Sequence, residues 1–209
     1  MDNPLHKHGR FFDIWAKFYR GTLFGLELRR IQRNALERLR IVPGQRVLDL
    51  GCGPGDGTSR LNAAGATAIG LDYSGGMLDT ARKEPANVGR LTRGDAGRLP
   101  FRDGAFDKIV CTNSFHHYPQ HFPALREMRR VLRPGGLLVL VDPRKDHPFG
   151  RLAIDFAENV VFGLKEVRIF SVNEWTNMLR DAGFSDARVT VGPMWQPIAW
   201  AEVFVEATA

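Results

Sequence analysis

The stretch that most constrains the fold is Arg46 to Gly57, which reads RVLDLGCGPGDG. Its short apolar run, bounded by punctuating residues, is typical of a buried strand. The run ends at glycines spaced two residues apart, at which the backbone can take positive φ and approach a ligand closely. The segment after them, Thr58 to Ala64, can begin a helix whose first N–H groups face that ligand. A strand, a glycine turn and a helix in this order predict a nucleotide-like ligand at the edge of a parallel sheet.

The rest of the chain alternates predicted strands with predicted helices, which is typical of a doubly wound parallel sheet. Apolar residues spaced three and four apart predict one helix that ends near Pro43-Gly44 and another over 122–132. Ser171 to Glu174 has the pattern of a capping box, which predicts the start of a helix over 174–182. Trp200 to Glu206 alternates apolar and polar residues, which predicts a strand with one face toward solvent. Further strands are predicted at 66–71, 90–93, 106–112, 137–141 and 187–191.

The acidic residues near the glycine turn distinguish between kinds of ligand. The dinucleotide pattern G-x-G-x-x-G would need a third glycine where this chain has Asp56. Asp49 before the turn suits a cation such as an amino group, and Asp72, at the end of the second strand, is placed to bind ribose hydroxyls. Asp95, after the third strand, could bind an adenine amine. Carboxylates without a clamping Lys or Arg indicate an adenosyl ligand that lacks phosphates, a description that S-adenosylmethionine meets.

Composition sets broad bounds. The 209 residues carry a formal net charge of +6, compatible with RNA, anionic lipid or an acidic substrate, or with a basic solvated surface. The two cysteines, Cys52 and Cys111, form neither a disulfide framework nor a zinc pattern, and no metal site is predicted. No apolar signal core or membrane-spanning run is visible, so we expect a cytoplasmic protein without a transmembrane segment.

Ordered motifs between residues 12 and 143 give the chain a family resemblance. It resembles the class I S-adenosylmethionine-dependent methyltransferases, within the small-molecule group that includes the ubiquinone and menaquinone biosynthesis enzymes. Tyr73 to Gly76 departs from those quinone enzymes, so the resemblance is to the broad group. The matching stretches are FDIWAKFY (12–19), VLDLGCGPG (47–55), GLDYS (70–74), GDAGRLPF (94–101), SFHHY (114–118) and LREMRRVLRPGGLLVLVDP (125–143).

The resemblance implies a Rossmann-like methyltransferase fold in one domain over 1–209. That α/β fold is a doubly wound seven-stranded sheet, mostly parallel with an antiparallel last strand. Residues 11–40 would form an N-terminal helical cover, whose aromatic part over 11–24 either packs on the core or covers the ligand pocket. The resemblance ends at residue 143, and the mixed, partly apolar character of the segment over 144–170 is what predicts a lid there.

The resemblance also assigns cofactor roles to individual positions. Asp49 would lie near the methionine amino group, Asp72 would bind the ribose and Asp95 the adenine amine. Tyr19 would cap the cofactor carboxylate, and Thr112 would contact the methionine part. The remaining predicted contacts are Gly51, Cys52 and Gly53 under the methionine part, Tyr73 and Met77 beside the adenine, and the backbone of Ala96.

Methyl transfer from a sulfonium is an in-line displacement, and it needs a general base only if the acceptor must lose a proton. The candidates are His117, preferred because the pair His117-Tyr118 could flank an acceptor ring, and His116 and Asp142. The histidines could instead pack on the next helix, and Asp142-Pro143 could be only a turn. We expect a small organic or lipid-like acceptor, with S-adenosylhomocysteine as the second product.

Two other functions are compatible with the sequence. One is methylation of RNA or protein. The arginines at 29–30, 126, 129–130 and 133 could dock RNA. However, Asn113 to His116 stands where exocyclic-amine nucleic-acid methyltransferases have an N-P-P-Y-type motif, which makes nucleic acid an unlikely partner. The same arginines could dock on anionic lipid, which is compatible with peripheral membrane contact, or could be solvated helix faces. The other function is a cofactor-binding partner protein without catalysis. The sequence predicts no oligomeric state.

Overall fold

The computed structural model describes residues 23–147, 152, 167–192 and 202–209. They form a seven-stranded sheet in the order β3-β2-β1-β4-β5-β7-β6. The strands are β1 (Arg46–Leu50), β2 (Thr67–Asp72), β3 (Leu91–Arg93), β4 (Phe106–Thr112), β5 (Leu132–Pro143), β6 (Ser185–Val191) and β7 (Glu202–Thr208). The helices are α1 (Leu23–Arg38), α2 (Asp56–Ala63), α3 (Gly75–Ala81), α4 (His121–Val131) and α5 (Val172–Asp181).

The first five strands pair in parallel, whereas β7 runs antiparallel to both β5 and β6. This confirms the predicted doubly wound sheet with an antiparallel last strand. Because β1, β2 and β4 are parallel neighbours, the residues that follow them lie together at one edge of the sheet. The glycine turn, Asp72 and the residues after Thr112 therefore share that edge.

Alternating strand residues separate two apolar cores on the two faces of the sheet. Leu48 and Leu50 of β1 lie in the core that contains α4 and α5 residues, such as Leu125 and Trp175. Val47 lies in the other core, with α1 residues such as Ile31. The sheet is thus covered on both faces, as its apolar strands require.

Strand β7 corrects the prediction that one face of the last strand meets solvent. Glu202 to Val205 are buried, because β7 lies between β5 and β6 and has a core on each side. The two glutamates of β7, which suggested a solvent-facing side, are hydrogen-bonded or buried instead. Glu206 accepts a hydrogen bond from Arg38 of α1 at 2.7 Å, and Glu202 is buried at 3% exposure.

Two element ends also differ from the prediction. The α1 helix ends at Arg38, before the predicted Pro43-Gly44, and Gly44 forms the following turn at φ +87°. Strand β5 begins at Leu132 and includes Pro134-Gly135-Gly136, which were expected to separate a helix from a shorter strand. A register shift in β4 between Phe106 and Lys108 lets Leu132 pair with Phe106.

The described helices include none that is long and apolar enough to cross a membrane. Of the predicted lid over 144–170, only its two ends and Leu152 are described. There Lys145 donates its backbone N–H to Phe170.

The predicted capping box at α5 is present. Ser171 Oγ accepts the N–H of Glu174 and the Glu174 carboxylate accepts the N–H of Ser171. We expect Ser171→Ala to lower the free energy of unfolding by about 1 kcal/mol, because the first turn loses its cap. Urea unfolding followed by circular dichroism measures this. Thr176→Ala, an exposed position in the same helix, is the control; equal stabilities of the two variants would contradict the prediction.

Candidate active site at the carboxyl ends of the parallel strands

The glycine turn after β1 is hydrogen-bonded to the end of β2. Gly51 and Cys52 both donate their N–H groups to the carbonyl of Leu71, at 2.8 and 3.1 Å. Gly53 donates to the carboxylate of Asp72 at 2.8 Å. Gly51 and Gly53 have φ of +69° and +51°, so both use the left-handed conformation that favours glycine. The turn is therefore a backbone surface held rigidly beside Asp72.

Asp72 connects this turn to helix α3. Its second oxygen accepts the N–H of Ser74 at 2.8 Å, and Ser74 Oγ in turn caps α3 by accepting the N–H of Met77. Met77 Sδ lies 3.9 Å from the place that a side chain on Gly53 would occupy. The structure thus brings together Gly53, Asp72 and Met77, which the sequence predicts around one ligand.

Asp49 lies deeper than the predicted contact with an amino group suggests. It is 1% exposed and accepts a hydrogen bond of 2.7 Å from Thr58 of α2. Burial is the main cause that raises the pKa of its carboxyl to about 6. Asp49 and the amide of Gln32, from α1, both border the position that a side chain on Gly57 would take: a Cβ atom there would be 2.8 Å from Asp49 and 2.9 Å from Gln32.

Ser114 fills the space beside the first glycine. A Cβ atom on Gly51 would lie 1.9 Å from Ser114 Oγ and 3.1 Å from the Tyr118 hydroxyl. Ser114 donates to Tyr118 at 3.0 Å, and the same hydroxyl lies 3.5 Å from the sulfur of Cys111. Asn113, with φ +47°, turns the chain after β4 so that Ser114 reaches the glycine. The Tyr118 hydroxyl is therefore held beside the turn through Ser114, and the role of Tyr118 beside an acceptor stays a prediction.

Three predicted adenine contacts, Tyr73, Asp95 and Ala96, follow β2 and β3. Asp95 accepts the N–H of Gly97 at 2.8 Å, and Ala96 between them is buried. Tyr73 follows Asp72, and its carbonyl accepts a hydrogen bond of 3.0 Å from Arg93, whose guanidinium lies 5.8 Å from the Tyr73 ring centre. These residues lie on the β3 side of Asp72.

The candidate bases lie on the other side of the turn, after β4 and β5. His116 Nδ1 is 2.7 Å from Asp142 Oδ1, and both side chains are buried. Burial raises the pKa of the Asp142 carboxyl, and the His116 partner opposes that shift. The half-buried ring of His117 lies 3.9 Å from that of His116. The structure therefore pairs His116, rather than the preferred His117, with a carboxylate.

The remaining predicted cofactor contacts are Thr112, Cys52 and Tyr19. Thr112, at the end of β4, lies 3.5 Å from Gln32 Nε2. The thiol of Cys52 is buried, and burial raises its pKa well above the usual value, so only its backbone is available to a ligand. Tyr19 and most of the predicted aromatic cover over 11–24 lie outside the described residues. Within the described ranges, no cluster of His, Cys, Asp or Glu could hold a metal ion.

Three residues at this edge have no sequence signal strong enough to predict them. Gln32 comes from a helix that looks merely amphipathic, and Thr58 and Ser114 are common capping residues. The only sequence signals for them were Gly57 and Gly51, since a glycine allows another group to pack closely against the backbone. The sequence does not say which group packs there; the tertiary structure identifies Gln32 and Ser114.

A family model described as a methyltransferase domain matches residues 48–140. Demethylmenaquinone methyltransferases are 38% identical in a Mycobacterium species, strain KMS, and 33% identical in Staphylococcus aureus, strain MRSA252. Residues 48–140 therefore carry a methyltransferase domain. Each match uses 68% of this chain but only 62% or 63% of the relative, so the chain spans less than two thirds of the length of these curated relatives.

Solved structures support the same fold for the methyltransferase domain. An S-adenosylmethionine-dependent methyltransferase of Thermotoga maritima superposes with a TM-score of 0.73 at 24% identity, over 97% of this chain and 98% of the other. A chain of the Haloferax volcanii complex between the Trm112 activator and a methyltransferase gives 0.78 at 23% identity, over 95% and 97%. At these identities the likeness concerns the fold alone.

The contact between Gly51 and Ser114 can be tested against a glycine of equal backbone conformation. Gly89 also has φ +69°, but a Cβ atom there would meet nothing within 4 Å. We expect Gly89→Ala to cost about 1–2 kcal/mol of folding stability through backbone strain alone. Gly51→Ala should cost roughly 1–3 kcal/mol more through overpacking.

Urea unfolding of both variants checks this difference. Ser114→Gly in the Gly51→Ala background should recover part of the extra loss, because the atoms nearest the new Cβ are then gone. Equal losses in the two alanine variants would show that Ser114 does not press on the turn.

Proposed function

We propose that this protein transfers a methyl group from S-adenosylmethionine to a small, lipid-like acceptor of the quinone type, leaving S-adenosylhomocysteine. The observation that carries the proposal is the glycine turn tied to Asp72, because it presents bare backbone and a carboxylate at one place. The acceptor class is suggested by the demethylmenaquinone methyltransferases that the chain resembles.

The residues at the turn fit an adenosyl ligand. Asp72, whose two oxygens each accept one backbone N–H, would bind the ribose hydroxyls. Tyr73 and Met77 would flank the adenine, while Asp95 and the N–H of Ala96 would meet its edge. Asp49, Thr112 and the backbone from Gly51 to Gly53 would surround the methionine part, with Tyr19 at its carboxylate.

S-adenosylmethionine, when bound, supplies an electrophilic methyl group, so the protein must mainly align the acceptor and exclude water. A base is still needed if the acceptor is a hydroxyl or a quinol that loses a proton. His116 would take that proton at Nε2, since Asp142 holds its Nδ1 at 2.7 Å. His117 would lie beside the acceptor.

Methylation of RNA is less well supported, because three of the arginines that would dock it are engaged within the protein. Arg129 donates to the carbonyl of Gly183, and Arg133 pairs with Asp107 at 2.6 Å. Arg130 pairs with Glu127 and Asp103, both at 2.7 Å. These contacts bind Arg129 and Arg130 of α4 and Arg133 of β5 to groups of the protein itself.

Cofactor binding tests the proposal directly. Isothermal calorimetry should detect S-adenosylmethionine binding, and Asp72→Asn should weaken it by roughly 10–100-fold, the equivalent of about 1.5–3 kcal/mol for a hydrogen bond to a charged group. Asp79→Asn, an exposed position on α3 that pairs with Arg82, is the control. No binding to the wild type at high micromolar concentration would sink the proposal, and an unchanged Asp72→Asn affinity would remove the ribose role.

The role of the buried pair can be separated from cofactor binding. Asp142→Asn keeps the side-chain shape but removes the charge that orients His116, so turnover of a reduced demethylmenaquinone analogue should fall about 10²–10⁴-fold. The calorimetric affinity for S-adenosylmethionine should stay as in the wild type. Asp146→Asn, exposed and paired with Arg144, is the matched control. Full turnover in the Asp142→Asn variant would show that no oriented base is used.

A further inference from the structure

Gln32 of α1 has unused hydrogen-bonding capacity beside the candidate site, and none of the roles above includes it. Its Nε2 lies 3.5 Å from Thr112 Oγ1, whereas its Oε1 is buried and has no hydrogen-bond partner within the described part of the chain. A buried acceptor without a partner costs folding free energy and calls for an explanation. Gln32 is therefore a candidate for contact with a ligand.

The amide of Gln32 lies beside residues of two neighbouring strands. Thr112 is the last residue of β4, and Asp49 is the last but one of β1. A Cβ atom on Gly57 would lie 2.8 Å from Asp49 Oδ2 and 2.9 Å from Gln32 Nε2, so the carboxylate and the amide share the space that this glycine leaves open. Gln32 thus joins the ends of β1 and β4.

This place is the crevice at which the strand order of the sheet reverses. Strand β1 lies between β2 and β4, and the chain continues from β1 to β2 on one side before it returns to β4 on the other. Ligands of doubly wound sheets bind at such a point, beyond the carboxyl ends of the strands. Asp49 and Thr112 both face α1, because Val47 and Val110, two positions earlier in the same strands, lie in the α1 core.

The residue after Thr112 adds a second unpartnered acceptor. Asn113 Oδ1 is buried and lacks a hydrogen-bond partner among the described residues. The backbone N–H of Asn113 is already used by the carbonyl of Val141 in β5, at 2.8 Å. Two residues at this crevice therefore have acceptor oxygens with open capacity, and a ligand group that completes them must donate hydrogen bonds.

The charges around Gln32 are negative. Asp49 accepts its hydrogen bond from the neutral hydroxyl of Thr58. Burial is the main cause that raises the pKa of its carboxyl, and the negative charges of Asp72 and Asp56 raise it further. Acceptors without partners next to carboxylates favour a ligand group that is both a donor and a cation.

We propose that Gln32 binds the α-ammonium group of the cofactor through Oε1, where the sequence predicted a direct contact with Asp49. This role rests on the proposed function, which supplies S-adenosylmethionine as the ligand. An ammonium group has three donors and no acceptor, so it suits an unpartnered oxygen. Asp49 stabilises the positive charge from behind the amide, and its own charge disfavours the cofactor carboxylate at the same place.

A purely structural role for Gln32 is less well supported. Its bond to Thr112, at 3.5 Å, is longer than an ordinary hydrogen bond and does little to hold the helix. Helix α1 is anchored instead by apolar residues such as Ile31 and Ala35, which are buried in the α1 core. Loss of the Gln32 amide should therefore leave the fold intact and change ligand binding.

Calorimetry with two adenosyl compounds isolates this contact. S-adenosylhomocysteine carries the amino-acid part, whereas methylthioadenosine has the same adenosine and sulfur without it. Gln32→Met, which removes the amide but keeps the length of the side chain, should weaken S-adenosylhomocysteine binding about 10–100-fold. Methylthioadenosine binding should stay as in the wild type, which also shows that the variant is folded.

Two further variants test the sign of the charge and the position. Gln32→Glu keeps acceptor oxygens, so it should recover most of the affinity for S-adenosylhomocysteine that Gln32→Met loses. Gln45→Met is the matched control, because Gln45 precedes β1 at the opposite edge of the sheet and its Oε1 accepts the N–H of Val42 at 3.0 Å. This control should bind both compounds as the wild type does.

Equal affinities of Gln32→Met and the wild type for S-adenosylhomocysteine would overturn the inference. An equal loss for both compounds would also overturn it, since the variant would then disturb the whole site. Weaker binding by Gln32→Glu than by Gln32→Met would show that the amide faces the cofactor carboxylate instead. These three results leave the proposed function in place, whereas a wild type that binds neither compound would contradict the proposed function and this inference with it.

Discussion

The structure depends on the hydrogen bonds that tie the turn after β1 to the end of β2. Two consecutive N–H groups share the Leu71 carbonyl, and the third glycine-turn bond goes to the Asp72 carboxylate. Such ties need a turn with positive φ, and they fix the turn against a neighbouring strand that the chain reaches only after α2. The backbone surface at this edge is thereby set before any ligand arrives.

Polar side chains also pack closely around the glycines of this turn. Asp49 is enclosed by Thr58 and Gln32, and Ser114 and Tyr118 press on Gly51. Glycine at 51 and 57 is what leaves room for these side chains. Burial raises the pKa values of the Asp49 and Glu202 carboxyl groups, because the charged form of a carboxyl group is disfavoured where it is removed from water.

The fold was largely predictable because its signals are local. Each short pattern predicts one element: an apolar run predicts a strand, a glycine predicts where an element ends, and the capping box at Ser171 predicts the start of a helix. The alternation of strands and helices then predicts the sheet. The errors have a common cause in pairing between distant segments. Strand β7 looked half-exposed, but it is buried because it inserts between β5 and β6, and β5 continues through Pro134-Gly135-Gly136 because β4 and the C-terminal Ala209 supply its hydrogen bonds.

The sequence by itself determined the strand, turn and helix after Arg46 and the positions of the acidic strand ends, since these depend on residue type and spacing along a short stretch. It also supplied the list of candidate bases. Only the tertiary structure decided which candidates lie together: His116 rather than His117 meets Asp142, although the two residues are 26 positions apart in the chain. The physical reason is that charge and desolvation act through space over a few ångströms, whereas sequence patterns describe neighbours along the chain.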